Sequence, residues 1–199
     1  MQITLTGAGG FVGATLAHAL LADGHTLHVL GRARPRGLPA EVAFSAWDAL
    51  GGDPPVESVE GAGAVVHLAG EPVAQRWTPR VKERIRASRV DGTRRLVAAI
   101  GKAGRKPRVL VCASATGYYG SRGDEILVED SKPGTGFLSE VCVEWERAAG
   151  LAAEEGLRVV TLRIGLVVGR GGGALRRMLP VFRLGLGGPI GRASCRERV

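Results

Sequence analysis

The chain has little cysteine, few aromatic side chains and no long apolar run. Its 199 residues include three cysteines, and aromatic residues make up 5% of the composition. An odd number of cysteines without CxxC spacing argues against a disulfide framework and against a thiolate zinc site. No window reaches the roughly 18 apolar residues of a membrane span, and the first residues lack a signal-peptide pattern. We therefore expect a cytoplasmic protein with no membrane partner.

Patterns for metal and nucleic-acid binding are also missing. The four histidines have no HxxxH spacing, so the sequence predicts no metal site. The formal net charge is +8, from 27 basic and 19 acidic residues. Of the basic residues, 23 are arginines and four are lysines, and they are scattered along the chain. Because nucleic-acid binders concentrate positive charge on one face or stripe, we expect no nucleic-acid partner.

What the sequence does contain is a regular alternation of apolar runs and helical patterns. A composition with 45% hydrophobic residues suits one domain with a sizeable core. An apolar run at 3–6 leads through glycines into a helical pattern, and a second run at 26–30 completes a β-α-β unit. Further strand-like runs alternate with helical patterns at 79–102 and 136–155. The alternation predicts an α/β fold with a doubly wound parallel sheet and flanking helices.

Three glycines separate the first predicted strand from the helix that follows it. Gly7 permits a tight turn, Gly10 lets backbone N–H groups approach a pyrophosphate, and Gly13 lets the helix lie close to the strand. A glycine pattern alone is weak evidence, but its place in a complete β-α-β unit predicts a dinucleotide site. Glycines that serve only a turn are the alternative.

The end of the second strand indicates which dinucleotide binds. A free ribose 2′-hydroxyl calls for an acidic residue there, about 20 residues beyond the turn. The chain instead has Gly31 and Arg32, followed by Arg34 and Arg36. A guanidinium cannot accept a hydrogen bond from a hydroxyl but can bind a phosphate through two N–H groups, so NADP is favoured over NAD. Arg32 is the best single candidate, whereas the other two are equally well interpreted as solvated charges.

Several motifs resemble one known family. The turn at 6–13 resembles the TGxxGxxG turn of the extended short-chain dehydrogenase/reductases, in the NAD(P)-dependent epimerase/dehydratase superfamily. Further stretches of the chain resemble an atypical epimerase-like subfamily of that superfamily. They are His67 to Pro72, Arg76-Trp77, Ser88-Arg89 with Thr93, Ser114 to Gly120, Trp145-Glu146 and Leu162 to Gly173. The resemblance covers residues 1 to about 191 and implies a Rossmann-like fold.

The resemblance also implies positions around the nicotinamide dinucleotide. Leu68, Ala69 and Gly70 would line its adenosine and ribose side, with plain strand core as the alternative for the first two. Arg89 would lie near the cofactor, and Leu166 beside the nicotinamide. The full set of predicted cofactor-binding residues is Gly7, Gly10, Phe11, Val12, Gly13, Gly31, Arg32, Leu68, Ala69, Gly70, Arg89 and Leu166. Arg84 is interpreted as a solvated charge on the same helix, with a place on the helix face of Arg89 as the alternative.

The chain departs from the family at the acid/base pair. In the superfamily, a Tyr four residues before a Lys transfers the proton, while the ammonium lowers the phenol's pKa and holds the ribose. Alignment through Glu146 puts Leu138 at the Tyr position and Cys142 at the Lys position. Leucine has no proton to transfer and cysteine supplies no positive charge. The subfamily typically shows this loss, so standard short-chain dehydrogenase chemistry is in doubt.

Ser114 or Thr116 stands where the superfamily places its substrate-orienting hydroxyl, and two tyrosines lie beside them in the sequence. We predict a substitute acid/base site from Ser114, Thr116, Tyr118 and Tyr119. No lysine follows either tyrosine by four residues, so we expect neither to have a cationic neighbour. The alternative is that these residues only pack or cap the loop. Arg76 and Trp77 are candidates for contacting a small-molecule substrate, or alternatively for closing the core.

These observations predict an NADP-binding oxidoreductase or epimerase for a carbohydrate-like or nucleotide-linked substrate. A noncatalytic NADP-dependent binding or sensing module is the alternative, because the acid/base pair is missing. We expect the epimerase-like domain to span 1–191, its substrate part being incomplete, with an aberrant tail at 192–199. Apolar residues before that tail should then be exposed, namely Met178, Leu179, Val181, Phe182 and Leu186. The oligomeric state does not follow from the sequence.

Overall fold

A twisted parallel sheet forms the centre of the molecule, whose computed structural model describes residues 1–169 and 172–185. Its strands are β1 Gln2–Thr6, β2 Thr26–Gly31, β3 Ala43–Ala46, β4 Ala64–His67, β5 Val109–Ala115 and β6 Arg158–Ile164. They lie in the order β3-β2-β1-β4-β5-β6, and every neighbouring pair is parallel. This is the doubly wound, Rossmann-like order, so the predicted fold class is confirmed.

Helices cover both faces of the sheet. They are α1 Phe11–Ala22, α2 Pro79–Lys102, α3 Phe137–Gly150 and α4 Gly173–Arg183. Residues of α1 share one core cluster with the inward side chains of β1 and β2, whereas α2 and α3 share a second cluster with β4 and β5. Successive strand residues point to opposite faces, so the central strands are buried on both sides.

The helix α2 has the bounds that its sequence pattern predicts. Thr78 caps its first turn by accepting a hydrogen bond from Val81 N, and Pro79 at the first helical position needs no N–H partner there. One other bound differs from expectation, because α3 ends at Gly150, before a single 3₁₀ turn, and not near residue 155. β5 runs to Ala115, which pairs with Ile164 of β6.

A short antiparallel bridge follows β6, between β7 Val168–Gly169 and the first residues of α4. Beyond it, Phe182 is 48% exposed, as predicted, whereas Met178 and Leu179 are half-buried. The side chain of Val181, together with Leu186 and the tail at 192–199, lies outside the described residues. No helix in the described part of the chain is long and apolar enough to cross a membrane.

Candidate functional site

A cavity of about 450 Å³ opens at the carboxyl ends of β1, β2 and β4. β1 and β4 are neighbours in the sheet, and the chain leaves them in opposite directions, which is where open α/β sheets bind ligands. Seven of the predicted cofactor residues line this cavity: Gly7, Gly10, Gly31, Arg32, Leu68, Ala69 and Gly70. Other lining residues, including Trp47 to Leu50, Glu71, Pro72 and Ser88, were not predicted.

The glycine turn brings the end of β1 against the end of β4. Gly7 has φ +77°, and a Cβ on it would lie 2.7 Å from the carbonyl carbon and oxygen of Leu68. A Cβ on Gly13 would overlap the carbonyl oxygen of Gly7. Both positions therefore require glycine, the first for its conformation and for space, the second so that α1 can approach the turn.

The first turn of α1 faces this cavity without a side-chain cap. Gly10 is the N-cap residue, no side chain accepts a hydrogen bond from the helix N-terminus, and no acidic residue lies in the first turn. Unsatisfied N–H groups and the helix dipole make such an end electropositive. Because Gly9 and Gly10 line the cavity, these features suit an anionic group such as a pyrophosphate.

Five predicted cofactor residues lie outside the cavity lining, namely Phe11, Val12, Gly13, Arg89 and Leu166. Glycines at 169, 172 and 173 pack on the ring of Phe11, and a Cβ on Gly172 would lie 2.6 Å from its Cδ2. Val12 is 37% exposed and Leu166 is 74% exposed. The glycine-rich segment after β6 thus folds over the start of α1, which no local pattern in the sequence indicates.

The arginines after β2 differ in their surroundings. Arg32 lines the cavity, is exposed, and makes no hydrogen bond or ion pair to another described residue. Arg34 is exposed as well, and its Nη2 donates to the carbonyl oxygens of Pro39 at 2.7 Å and Ala40 at 3.0 Å. Arg36 is exposed and does not line the cavity.

A buried network fixes the cavity wall that β4 supplies. Thr6 Oγ1 accepts hydrogen bonds from the backbone N–H groups of Leu68 and Ala69, each at 3.1 Å. The same oxygen lies 2.7 Å from Nδ1 of His67, which is fully buried. Because both acceptor positions of the hydroxyl are occupied, its O–H donates to Nδ1.

The network continues from His67 into the helices. Burial, with a smaller contribution from Arg89, lowers the pKa of His67 to about 4, so the ring is neutral at pH 7. Nδ1 accepts from Thr6, so Nε2 carries the proton and donates to Thr93 Oγ1 at 3.1 Å. That oxygen also accepts from Trp145 Nε1 at 3.0 Å. One hydrogen-bond chain therefore joins β1, β4, α2 and α3.

Arg89 lies behind the cavity wall. Its Nη1 donates to the carbonyl oxygens of Glu71 at 2.9 Å and Ile85 at 3.2 Å. Its Cζ is 5.2 Å from the ring centroid of Trp145, and 3.1 Å from the position of a Cβ on Gly70. Glycine at position 70 therefore leaves space for the guanidinium.

Glu71 is a cavity-lining carboxylate that the sequence did not reveal. Its backbone N–H donates to Ser88 Oγ at 2.9 Å, while its carbonyl accepts from Arg89. Its carboxylate pairs with Arg84 at 3.2 Å, and its side chain is only 14% exposed. The interpretation of Arg84 as a solvated charge is therefore wrong.

Three of the four predicted catalytic residues belong to one cluster around Arg163. Its Nε and Nη2 each donate to Glu146 at 2.9 Å, and Ser114 donates to Glu146 Oε1 at 2.6 Å. Arg163 Nη1 donates to the hydroxyl of Tyr119 at 2.9 Å, and its Cζ lies 3.6 Å from the ring centroid of Tyr118. The hydrogen bonds that Arg163 donates, above all those to Glu146, raise the pKa of its guanidinium.

This cluster corrects one expectation. Both tyrosines have a cationic neighbour, Arg163, which comes from β6 and lies 44 residues from Tyr119. Thr116 differs from the other three residues, because it is exposed and its hydroxyl makes no hydrogen bond to a described residue. A Cβ added to Gly165 would lie 3.7 Å from Thr116 Cγ2, so Thr116 lies close to the backbone that precedes Leu166.

The positions of the family's Tyr and Lys are packed. A Cβ added to Gly117 would lie 3.5 Å from Leu138 Cβ and 4.0 Å from Cys142 Sγ, so both side chains pack against the loop at Gly117. Cys142 is buried, and burial raises the pKa of its thiol, with Arg89 acting in the opposite direction. A neutral thiol and a leucine offer no acid/base pair on α3.

Trp77 forms part of a small aromatic cluster at the start of α2. Its ring packs edge-on against Phe137, with centroids 5.5 Å apart, and its Nε1 donates to Val73 O at 2.8 Å. Lys82 Nζ lies 5.8 Å from the centroid of the Trp77 ring. Arg76 is exposed. Among the residues that the structure describes, no three His, Cys, Asp or Glu side chains group to hold a metal ion.

Comparisons with known proteins agree with this geometry. Residues 3–189 match the model of the NAD dependent epimerase/dehydratase family. The chain is 42% identical over 198 residues to an Arabidopsis thaliana protein named epimerase family protein SDR39U1 homolog, chloroplastic, covering 96% of this chain and 56% of that protein. The chain spans 56% to 63% of the length of such curated relatives.

Solved structures are similar to the chain as well. The human epimerase family protein SDR39U1, crystallised with NADPH, has a TM-score of 0.80 and 34% identity, over 95% of this chain and 62% of that one. A nucleoside-diphosphate sugar epimerase from Corynebacterium glutamicum has a TM-score of 0.77 and 37% identity, over 92% of this chain and 37% of that one.

Proposed function

Because the chain belongs to the NAD-dependent epimerase/dehydratase family, we propose that it binds NADP in the cavity between β1 and β4 and serves hydride chemistry. The observation that carries the proposal is one cavity that joins an uncapped helix N-terminus to a free arginine at the end of β2. These are the groups that a pyrophosphate and a ribose 2′-phosphate require. The NADPH bound to the human relative supports the same choice of cofactor.

The lining of the cavity supports one direction for the bound dinucleotide. With its 2′-phosphate at Arg32 and its pyrophosphate at the N-terminus of α1, the adenosine half lies over β2 and β3. Leu68 to Gly70 would then line the ribose on that side, and the nicotinamide half would leave the cavity toward the end of β5, where Thr116 and the Arg163 cluster lie. Bound NADP would accept or donate a hydride there.

Four side chains remain our candidates for the proton transfer and for substrate orientation. Thr116 offers an exposed hydroxyl, and the hydroxyl oxygen of Tyr119 accepts a hydrogen bond from Arg163. Ser114 and Tyr118 hold this cluster through Glu146 and through stacking on Arg163. We propose a carbohydrate-like or nucleotide-linked substrate, a class that the name of the Corynebacterium relative supports.

Calorimetric titration with NADPH and NADH tests the cofactor assignment. We expect the protein to bind NADPH more tightly than NADH, because only NADPH carries the 2′-phosphate. Arg32→Ala should weaken NADPH binding by about tenfold or more and leave NADH binding nearly unchanged. Arg36→Ala is the matched control, since it removes the same charge from the same loop outside the cavity. Equal effects of the two substitutions would contradict the role of Arg32.

A noncatalytic NADP-binding module remains the second candidate, and the packing of Leu138 and Cys142 favours it. The two functions differ in the fate of the bound cofactor. An enzyme would reduce bound NADP⁺ when that complex meets nucleotide-linked sugars such as UDP-glucose, because a sugar hydroxyl is oxidised to a carbonyl as its hydride moves to the nicotinamide. The absorbance of the reduced nicotinamide would then rise, and Thr116→Val would slow that rise. A binding module would hold NADP⁺ without reducing it in the presence of any sugar tested.

A further inference from the structure

The loop between β2 and β3 has two halves that are held in different ways. Arg32, in its first half at residues 32–35, lines the cavity and is exposed. Its second half, at residues 39–42, ends on the buried side chain of Val42. Leu38, just before that half, packs against the same core cluster, which α1 shares with β1 and β2. The second half is therefore fixed by the core, and the first half is not.

One side chain joins the two halves of this loop. Nη2 of Arg34 donates to the carbonyl oxygens of Pro39 at 2.7 Å and Ala40 at 3.0 Å. Among the described residues, no other hydrogen bond links the first half to the second. The turn between them contains Gly37, which has φ +83° and where a Cβ would meet nothing within 4 Å. Packing at that glycine does not hold the turn, so the bridge from Arg34 is what closes the loop.

The loop also carries three like charges that oppose this closed shape. Arg32, Arg34 and Arg36 lie within five residues of one another. None of them forms an ion pair with an Asp or Glu that the structure describes. Guanidinium groups keep their charge in proteins, so the three repel one another. The two hydrogen bonds of Arg34 act against that repulsion, because they hold one guanidinium on the carbonyl oxygens of the second half.

We propose that Arg34 is a positioning residue for cofactor selection, whose bridge to Pro39 and Ala40 holds the loop in the shape that presents Arg32 to the cavity. A binding group that is already in place loses less conformational entropy when its ligand arrives. Arg34 acts on the 2′-phosphate through Arg32 and does not contact the phosphate itself. This inference rests on the proposed function, in which Arg32 binds that phosphate, and adds the residue that keeps Arg32 in place.

Two other roles for Arg34 predict different results. An arginine that bound the 2′-phosphate directly would contribute to affinity even in a protein without Arg32. An arginine that only stabilised the fold would change the affinity for NADPH and for NADH by the same factor, because the two differ only in the 2′-phosphate. The effect of removing Arg34 is therefore measured with both dinucleotides, and both with and without Arg32.

The experiment measures the dissociation constants of NADPH and NADH for the whole chain and its variants. Arg34→Met removes the bridge, so Kd for NADPH should rise about fivefold, while Kd for NADH should stay nearly unchanged. Arg36→Met is the matched control, since it removes the same charge from the same loop but no bridge, and should change Kd for NADPH by less than about twofold.

A double variant separates positioning from direct contact. With Arg32→Ala already present, Arg34→Met should cause no further loss of NADPH affinity, because the loop then has no phosphate-binding group to position. A further loss in the double variant would overturn the inference in favour of direct contact. Equal effects of Arg34→Met and Arg36→Met, or equal effects of Arg34→Met on NADPH and NADH, would overturn it as well.

Trypsin cleavage tests the bridge without any cofactor. Trypsin can cut the loop after Arg32 and Arg36 but not after Arg34, because Pro35 follows it, so Arg34→Met removes no cleavage site. Loss of the bridge should raise the rate of cleavage after Arg36 about fivefold, while sites outside the loop keep their rates. An unchanged rate after Arg36 would overturn the inference. If the unaltered folded protein binds neither dinucleotide, the proposed function fails first, and the cleavage rates alone decide whether Arg34 holds the loop.

Discussion

Gly7 and Leu68 touch where β1 and β4 end: a Cβ on Gly7 would lie 2.7 Å from the backbone carbonyl of Leu68. The contact closes the floor of the cavity, because it draws the glycine turn onto the strand that forms the opposite wall. It leaves no room for any side chain at position 7, whatever its polarity.

Gly7→Ala should therefore destabilise the fold by about 3 kcal/mol and abolish NADPH binding. The substitution strains a positive φ, at about 1–2 kcal/mol, and also forces the two strand ends apart. Gly24→Ala is the control, because Gly24 has φ +76° and a Cβ there would meet nothing within 4 Å. It should cost only the conformational strain. Urea denaturation measures both, and equal losses would show that the Leu68 contact does not matter.

His67 should make stability depend on pH. Its pKa falls from 6.5 in the unfolded chain to about 4 in the fold, so the unfolded state binds the proton more readily. The stability that neutral His67 provides is present above pH 6.5 and is lost as the pH falls toward 4. Lowering the pH from 7 to 5 should therefore reduce the free energy of unfolding by about 2 kcal/mol through this one group.

The check is urea denaturation at both pH values for the unaltered chain, His67→Gln and His18→Gln. His67→Gln should remove most of the difference, whereas exposed His18 should not matter. An unchanged difference in His67→Gln would show that other groups set the pH dependence.

Thr93→Val should destabilise the protein by about 3 kcal/mol. The substitution keeps the shape of the side chain but leaves Nε2–H of His67 and Nε1–H of Trp145 without an acceptor in a buried site. Thr93→Ser keeps the hydroxyl and loses only a methyl group, at about 1 kcal/mol. Should the serine variant be the less stable of the two, packing and not hydrogen bonding would be the dominant contribution.

Glu146→Gln should cost about 2 kcal/mol of stability. The substitution breaks an ion pair in which two N–H groups of Arg163 donate to the two carboxylate oxygens, and it weakens the hydrogen bond from Ser114. The side chain of Glu146 is only 15% exposed and that of Arg163 only 18%. Asp53→Asn is the comparison, since the pair of Asp53 with Lys102 is 57% and 61% exposed and should contribute less than about 1 kcal/mol. Thermal denaturation at low and high salt measures both, and similar losses would contradict a stabilising role for the cluster.

Local periodicity predicted the sheet, the bounds of α2 and the glycine turn, because each depends on residues close together in sequence. The cavity lining at Arg32 and at Leu68 to Gly70 followed from the rule that ligands bind at the carboxyl ends of parallel strands. The domain limits, the cytoplasmic location and the roles of the site residues stay predictions.

Features that the sequence did not reveal depend on contacts between distant segments. Arg163 reaches Tyr119 across 44 residues and Glu146 across 17 residues, and His67 reaches Thr6 across 61 residues. No spacing rule connects such partners, since they meet only after the sheet has formed. The prediction for Arg84 was wrong for the same reason, because its partner Glu71 precedes α2.

A crystal structure of the protein with NADPH tests the proposed cofactor site most directly. We expect the pyrophosphate to lie within hydrogen-bond distance of the backbone N–H groups at the start of α1, and the 2′-phosphate to contact Arg32. Density for NADPH elsewhere on the protein, or a 2′-phosphate turned away from Arg32, would contradict the proposed site.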